Sequence, residues 1–281
     1  MTKILYVSDL LLSDLIGGGE LNDDVLCKQL TKDGHILKKI RSHELTYQSL
    51  SKHRDWFFVI SNFINLHKQC KQYLIENCKY IIYEHDHKYI ISRNPGLYSD
   101  HLAPKSQITN YNFYKNARRV ITQSSFHKNI VSKNLKIDNV INISGNLWSL
   151  KDLDLLRKMS KIKKNEKYAI LNSTTLHKNT KDAIKYCRAK NIDYNLISSG
   201  NYQEFLSKLG QNKKFIFLPK TPETLSRVAV ESRMMNMGTI LNKNVGASYE
   251  EWFKLKGESL IDYMTQKRHK ITESIRGIIN E

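Results

Sequence analysis

Short apolar runs recur along the chain at the length of buried strands, and between them apolar positions return every three or four residues. Residues 3–9 form the first run, followed by 36–40, 56–61, 79–83, 119–122 and 140–143. The helix between the first two covers 21–30, with Leu21, Val25, Leu26 and Leu30 on one face and Asp33-Gly34 turning the chain after it. Six strands alternating with helices predict a parallel sheet covered on both faces. A second alternation begins at residue 168: strands over 168–172, 194–198, 215–218 and 239–241, helices over 181–190 and 201–209. A further helix opens near Ser226 and stops at Gly238. Residues 248–281 read as helical, with Trp252, Leu255, Leu260, Ile261, Met264, Ile271, Ile275, Ile278 and Ile279 needing a surface to cover. The pattern divides the chain into a first α/β domain over 1–149, a linker over 150–165, a smaller second α/β domain over 166–248 and C-terminal helices over 249–281 that pack back across the domains.

Ligands of open parallel sheets bind beyond the carboxyl ends of the strands. Several polar clusters fall there: Ser8-Asp9, Gly17-Gly18-Gly19-Glu20, Glu84-His85-Asp86-His87, Gln123-Ser124-Ser125 and Ser144-Gly145-Asn146. The glycine run is not GxGxxG, so it does not predict a nicotinamide site. On a strand, Glu84 and Asp86 would face one way and His85 and His87 the other. Three readings of that cluster stay open: a metal site, a polar active-site lining, or an ordinary strand end. In the second domain Glu223 and Glu231 have seven residues between them. With a helix beginning near Ser226, Glu223 lies over its N-terminus and Glu231 in its second turn, where free N–H groups and the helix dipole attract an anion. Carboxylates beside an anion site suit a ligand carrying hydroxyls and phosphates. A surface helix with two solvated glutamates is the plain alternative.

Composition narrows the partner without naming it. Apolar residues are 40% and charged residues 26% of the 281, as in a soluble globular protein. The formal net charge is +18, carried by 34 Lys against 11 Arg and spread in short clusters such as 38–41, 161–164 and 267–270. Such a field attracts phosphates, anionic membranes or nucleic acid, although the lysine excess also fits AT-rich coding. Cys27, Cys70, Cys78 and Cys187 show neither a CxxC pair nor zinc spacing, so they read as reduced packing residues. The N-terminus lacks a signal-peptide pattern and no run reaches membrane-span length. The expectation is a cytoplasmic protein, able to lie peripherally at a membrane surface, with no transmembrane segment.

Taken together, the double α/β alternation, Gly17-Gly18-Gly19-Glu20, Asp33-Gly34-His35, Glu84-His85-Asp86 and the stretch from Glu223 to Glu231 resemble the GT-B glycosyltransferases, and more narrowly the large retaining family 4. That family carries a Gly-Gly-x-Glu loop, an x-Gly-His start to its second strand, and an E-P-F-G-x-x-x-x-E pattern in which Ser226 here replaces Gly. The resemblance implies two Rossmann-like domains with parallel sheets facing a central cleft, the first on the acceptor side and the second on the nucleotide-sugar side. It implies Lys178, His85 and Glu223 as catalytic residues. Donor binding falls to Glu223, Thr224, Leu225, Ser226, Glu231, Ser173, Lys178, Gly18 and Gly19, and the acceptor side to Gly17, Gly18, Glu20, Asp86 and His87. Glu223 would contact sugar hydroxyls, Glu231 the ribose, and Lys178 the diphosphate.

No tightly bound cofactor and no metal are implied, the co-substrate being a nucleotide-diphosphate sugar, a UDP-sugar in the first instance. The family's Gly-Arg pair before the lysine is replaced by Asn172 and Ser173, which removes one cation; Arg227 and Lys220 are the candidates to replace it. The acceptor is expected to be an acidic or lipid-linked glycan. DNA carrying modified bases is the alternative, for which the Tyr and Lys residues of 98–115 could stack on bases. A basic nucleic-acid-binding protein without catalysis is the reading from outside the enzyme class.

Overall fold

The computed structural model describes residues 1–198 and 200–281. Among these residues ten strands and ten α-helices alternate. The chain runs β1 (Lys3–Ser8), α1 (Gly18–Lys32), β2 (Ile36–Arg41), α2 (Tyr47–Lys52), β3 (Phe57–Ile60), α3 (Lys68–Asn77), β4 (Lys79–Tyr83), α4 (Tyr111–Lys115), β5 (Val120–Thr122), α5 (Ser125–Leu135) and β6 (Val140–Asn142). It continues through α6 (Leu150–Ser160), β7 (Tyr168–Leu171), α7 (Thr180–Ala189), β8 (Tyr194–Ile197), α8 (Tyr202–Gly210), β9 (Lys214–Phe217), α9 (Arg227–Met234), β10 (Gly238–Leu241) and α10 (Glu258–Asn280). Two compact units result: residues 1–147 with 269–281, and residues 148–268.

The first unit holds a parallel sheet in the order β2-β1-β3-β4-β5-β6. Alternate residues of β1 point to opposite faces, so Leu5 and Val7 join one core while Ile4 and Tyr6 join the other. Burial on both faces is why these strands read as unbroken apolar runs. The second core also takes Ile271, Ile275, Ile278 and Ile279 from the end of α10. Arg118 Nη1 donates to the Ile278 carbonyl at 3.0 Å.

The second unit holds a parallel sheet ordered β10-β9-β7-β8. Phe215 and Phe217 pack on one face with α6, α8 and α9, and Ile216 on the other with α7. The 150–165 stretch, expected to link two domains, is largely α6, capped by Ser149 Oγ accepting from the Asp152 N–H at 3.1 Å. It belongs to the second unit because Leu153 and Leu156 are buried in that core. Residues 249–281 are not continuously helical. Trp252 lies in a short 3₁₀ turn and α10 starts only after Gly257, whose φ of +56° breaks the helical run.

The N-terminal helix also begins earlier than its apolar spacing suggests. Gly18 and Gly19 form its first turn rather than a loop, with Gly17 as an extended cap residue. None of the three adopts positive φ among the described residues, so their use is room rather than a left-handed turn.

Candidate functional site

In each sheet the first strand in sequence lies between its next two strands, so the chain leaves it and its later neighbour toward opposite edges and the connecting loops diverge there. In the second unit that strand is β7, paired with β8 on one side and β9 on the other. The loop after β7 carries Ser173 and Lys178; the loop after β9 carries Glu223 to Ser226. Lys178 Nζ lies 2.8 Å from Glu223 Oε1, both side chains partly exposed.

The surrounding backbone fixes both partners. The Glu223 N–H donates to the Asn244 carbonyl at 2.7 Å, and the Glu223 carbonyl accepts from Gly246 at 3.0 Å. The Lys220 N–H donates to the His177 carbonyl at 2.8 Å, and Asn179 Nδ2 donates to the Leu218 carbonyl at 2.7 Å, which ties the two loops together. Ser173 accepts from the Thr175 N–H through Oγ at 3.2 Å, and its own N–H donates to Thr180 Oγ1 at 3.2 Å.

Helix α9 starts beside this pair. Its cap residue Ser226 sits at φ +74°, a left-handed conformation that glycine adopts more readily, and its Oγ is buried with no hydrogen-bond partner among the described residues. Leu225 is buried beneath the turn and Thr224 lies half-buried on it. The first turn of α9 follows Glu223 within four residues, and a helix N-terminus carries the positive end of the helix dipole.

Glu231 is in the second turn, as its spacing predicts, but it is 1% exposed. Its Oε1 accepts from Trp148 Nε1 at 2.9 Å, Tyr202 Oη at 2.5 Å and Arg227 Nε at 2.8 Å. Burial holds its carboxyl above the ordinary range despite the Arg227 charge. The Arg227 guanidinium lies 4.7 Å from the Trp148 ring centre and 5.7 Å from that of Tyr202. Arg227 is therefore committed to the interior of this unit, and of the two candidate replacement cations Lys220 is the exposed one.

In the first unit the diverging strand is β1, between β2 and β3. His85 follows β4, and its Nε2 lies 2.6 Å from Asp23 Oδ1 of α1. Gln123 Nε2 contacts the other ring nitrogen, Nδ1. Gly19 packs on this ring, where a Cβ would stand 3.7 Å from His85 Cγ. Gly17 leaves space for the Glu20 carboxylate, since a Cβ there would fall 2.3 Å from Oε2. Burial raises the Glu20 carboxyl above its usual value.

The Glu84 to His87 cluster does not stay on the strand, which ends at Tyr83. Its four side chains take separate partners, so the alternation expected of a strand does not apply. Glu84 contacts Lys88 Nζ and Tyr114 Oη, Asp86 accepts from Arg93 Nε at 2.6 Å, and His87 Nδ1 lies 2.9 Å from Tyr89 Oη. Burial would raise Asp86, but Lys88, Arg93 and His87 outweigh it and hold the carboxyl low. Among the described residues no three His, Cys, Asp or Glu side chains gather as a metal-binding group, and no helix is long and apolar enough to cross a membrane.

Asp23 is a further candidate that the structure adds. It is legible in retrospect, because a carboxylate three and seven positions before Leu26 and Leu30 falls on the apolar stripe of α1. Trp148 and Tyr202 left no such signal, since their contact with Glu231 joins distant parts of the sequence.

No protein-family model and no curated protein matches the sequence. Solved structures do match its fold. HepE of Anabaena, in complex with UDP and glucose, aligns with a TM-score of 0.57 at 11% identity over 99% of this chain and 92% of that one. The catalytic domain of Starch Synthase IV from Arabidopsis thaliana, bound to ADP and acarbose, gives 0.55 at 8% identity, covering 99% and 94%. An alpha-glucosyltransferase in complex with UDP and a 13-mer DNA containing an HMU base gives 0.51 at 13% identity, covering 99% of both chains. The chain therefore has the two-sheet α/β fold of the GT-B glycosyltransferases.

Proposed function

We propose that this chain is a retaining glycosyltransferase that moves a sugar from a nucleoside-diphosphate donor, a UDP-sugar, to a glycan hydroxyl. The observation that carries the reading is the Lys178–Glu223 pair, 2.8 Å apart where the β7 and β9 loops diverge, beside the first turn of α9. On donor binding the two side chains exchange partners. Lys178 and the α9 N–H groups hold the diphosphate, while Glu223 accepts hydrogen bonds from sugar hydroxyls. As the glycosidic bond breaks, negative charge grows on the departing phosphate, and a fixed ammonium and helix dipole stabilise it there.

Glu231 is the ribose contact in this scheme, reached by displacing Tyr202, the most exposed of its three donors. His85, with Gly19 against its ring, and Gly18 take the sugar side, and Glu20, Asp86 and His87 the acceptor side. Retention is supported by the resemblance of the glycine loop and of the Glu223–Glu231 spacing to family 4. The UDP and ADP in the structural neighbours support a nucleoside diphosphate as leaving group.

A second reading places the acceptor hydroxyl on a modified base of DNA. It is favoured by the net charge of +18 and by the DNA in the neighbouring alpha-glucosyltransferase structure.

Turnover of UDP-sugars tests the shared premise. Lys178→Ala and Glu223→Gln should each lower donor hydrolysis or transfer at least about a hundredfold, because each removes charge or hydrogen bonding from the transition state. UDP should raise the melting temperature of the parent protein. Undiminished turnover in both variants would remove the assignment.

A further inference from the structure

Asp23 is almost fully enclosed, yet both its oxygens are engaged. Oδ1 lies 2.6 Å from His85 Nε2 and accepts from Asn22 Nδ2 at 3.2 Å, while Oδ2 accepts from Ser61 Oγ at 2.6 Å. The Asp23 and His85 side chains are 8% and 6% exposed. Burial alone would raise the Asp23 carboxyl; His85, Ser61 and Tyr6 outweigh it and hold it below its usual value, as an acceptor. A carboxylate that only accepts requires the facing imidazole nitrogen to carry a proton. On the other side of the ring, the Gln123 amide N–H faces Nδ1 as a donor, which requires that nitrogen to accept.

We propose that Asp23 is the positioning residue of His85: it fixes the neutral imidazole as the Nε2–H tautomer and leaves Nδ1 as the acceptor nitrogen. The inference rests on the reading of His85 as a residue lining the sugar site. Its consequence is that a substrate hydroxyl reaches His85 as a donor, competing with the Gln123 amide for the Nδ1 lone pair. A half-turn of the ring would set carbon atoms against Asp23 and Gln123 and lose both contacts, while Gly19 and Tyr83 lie against its faces. The Tyr83 ring centre is 4.6 Å away, inclined by 33°. Three segments around the first sheet's diverging strand combine in this arrangement: α1 supplies Asp23, the residue after β3 supplies Ser61, and the turn after β4 supplies His85.

Nitrogen-15 NMR of histidine-labelled full-length protein, at a pH where His85 is neutral, reads the tautomer without any need for activity. The parent protein should show His85 protonated on Nε2. Finding the proton on Nδ1 would overturn the proposal whatever the variants do. Asp23→Asn replaces the fixed acceptor with a group that can donate, so the tautomer should shift toward Nδ1–H. In the same variant kcat should fall about 10- to 100-fold with the donor KM within about twofold. Gln123→Met removes the opposite partner and should leave the Nε2–H tautomer in place.

An Asp23→Asn protein that keeps both tautomer and kcat, while His85→Ala abolishes transfer, defeats the role of Asp23 and spares that of His85. Unchanged transfer in His85→Ala, with the Nε2–H tautomer present in the parent, would instead defeat the site reading and leave the Asp23 contact intact.

Discussion

Glu223 and Glu231 share a residue type and lie on either side of the start of α9, yet the fold gives them different work. Glu223 meets one partly exposed ammonium, whereas Glu231 is enclosed with a guanidinium, an indole and a phenol. Removing the first leaves Lys178 where water can reach it, and removing the second leaves Arg227, 7% exposed, with the Asp152 carboxylate 4.0 Å away in place of one at 2.8 Å. Breaking a buried pair from one side costs about 3–5 kcal/mol, while a solvent-screened pair is worth at most about 1 kcal/mol. Urea denaturation should therefore place Glu231→Ala about 3 kcal/mol or more below the parent protein and Glu223→Ala within about 1 kcal/mol. Equal losses would mean that Glu231 does not hold this unit together. The spacing of the two glutamates was visible in the sequence and so was the place of Glu231 in the second turn. Its burial was not, because Trp148 lies 83 positions away and nothing local announces that contact.

At the scale of elements, each strand expected from the apolar runs forms, with ends that move by at most one residue. Parallel strands buried on both faces leave a continuous apolar signature, and that signature does not depend on what covers them. Helix ends are less legible, since they depend on caps and on single backbone angles. Gly18 and Gly19 enter α1 despite a composition that suggests a loop, and Gly257 halts the helical run near the C-terminus.

Helix α10 is the clearest case of a tertiary role that a period cannot specify. Leu260, Ile261 and Met264 join the core of the second unit, and Ile271, Ile275, Ile278 and Ile279 join that of the first. Burying four isoleucines contributes about 6–12 kcal/mol at about 1.5–3 kcal/mol each, an upper bound that matches the whole stability of a typical domain. A chain cut after Arg268 should lose amide-exchange protection across β1, β3 and β4 while β7 and β9 keep theirs. Protection of the first sheet that survives the cut would show that its core closes without the last helix.

For the whole molecule, the excess of 45 basic over 27 acidic side chains acts on any polyanion, so attraction to DNA alone does not choose an acceptor. The choice turns on what salt removes. A protein held by six to ten phosphate contacts loses about 10³–10⁵ in affinity between about 50 and 200 mM salt, and that loss carries no sequence or base information. If the acceptor is a glycan, duplex binding should follow this screening alone, and UDP-sugar label should stay out of DNA at any salt concentration. If the acceptor is a base, label should enter duplexes carrying hydroxymethylated bases and not unmodified ones, because only the former present the attacking hydroxyl. Incorporation into modified DNA that also disappears in Lys178→Ala would connect the charge of the whole chain to the ammonium at the β7 loop, and would replace the glycan reading with the DNA one.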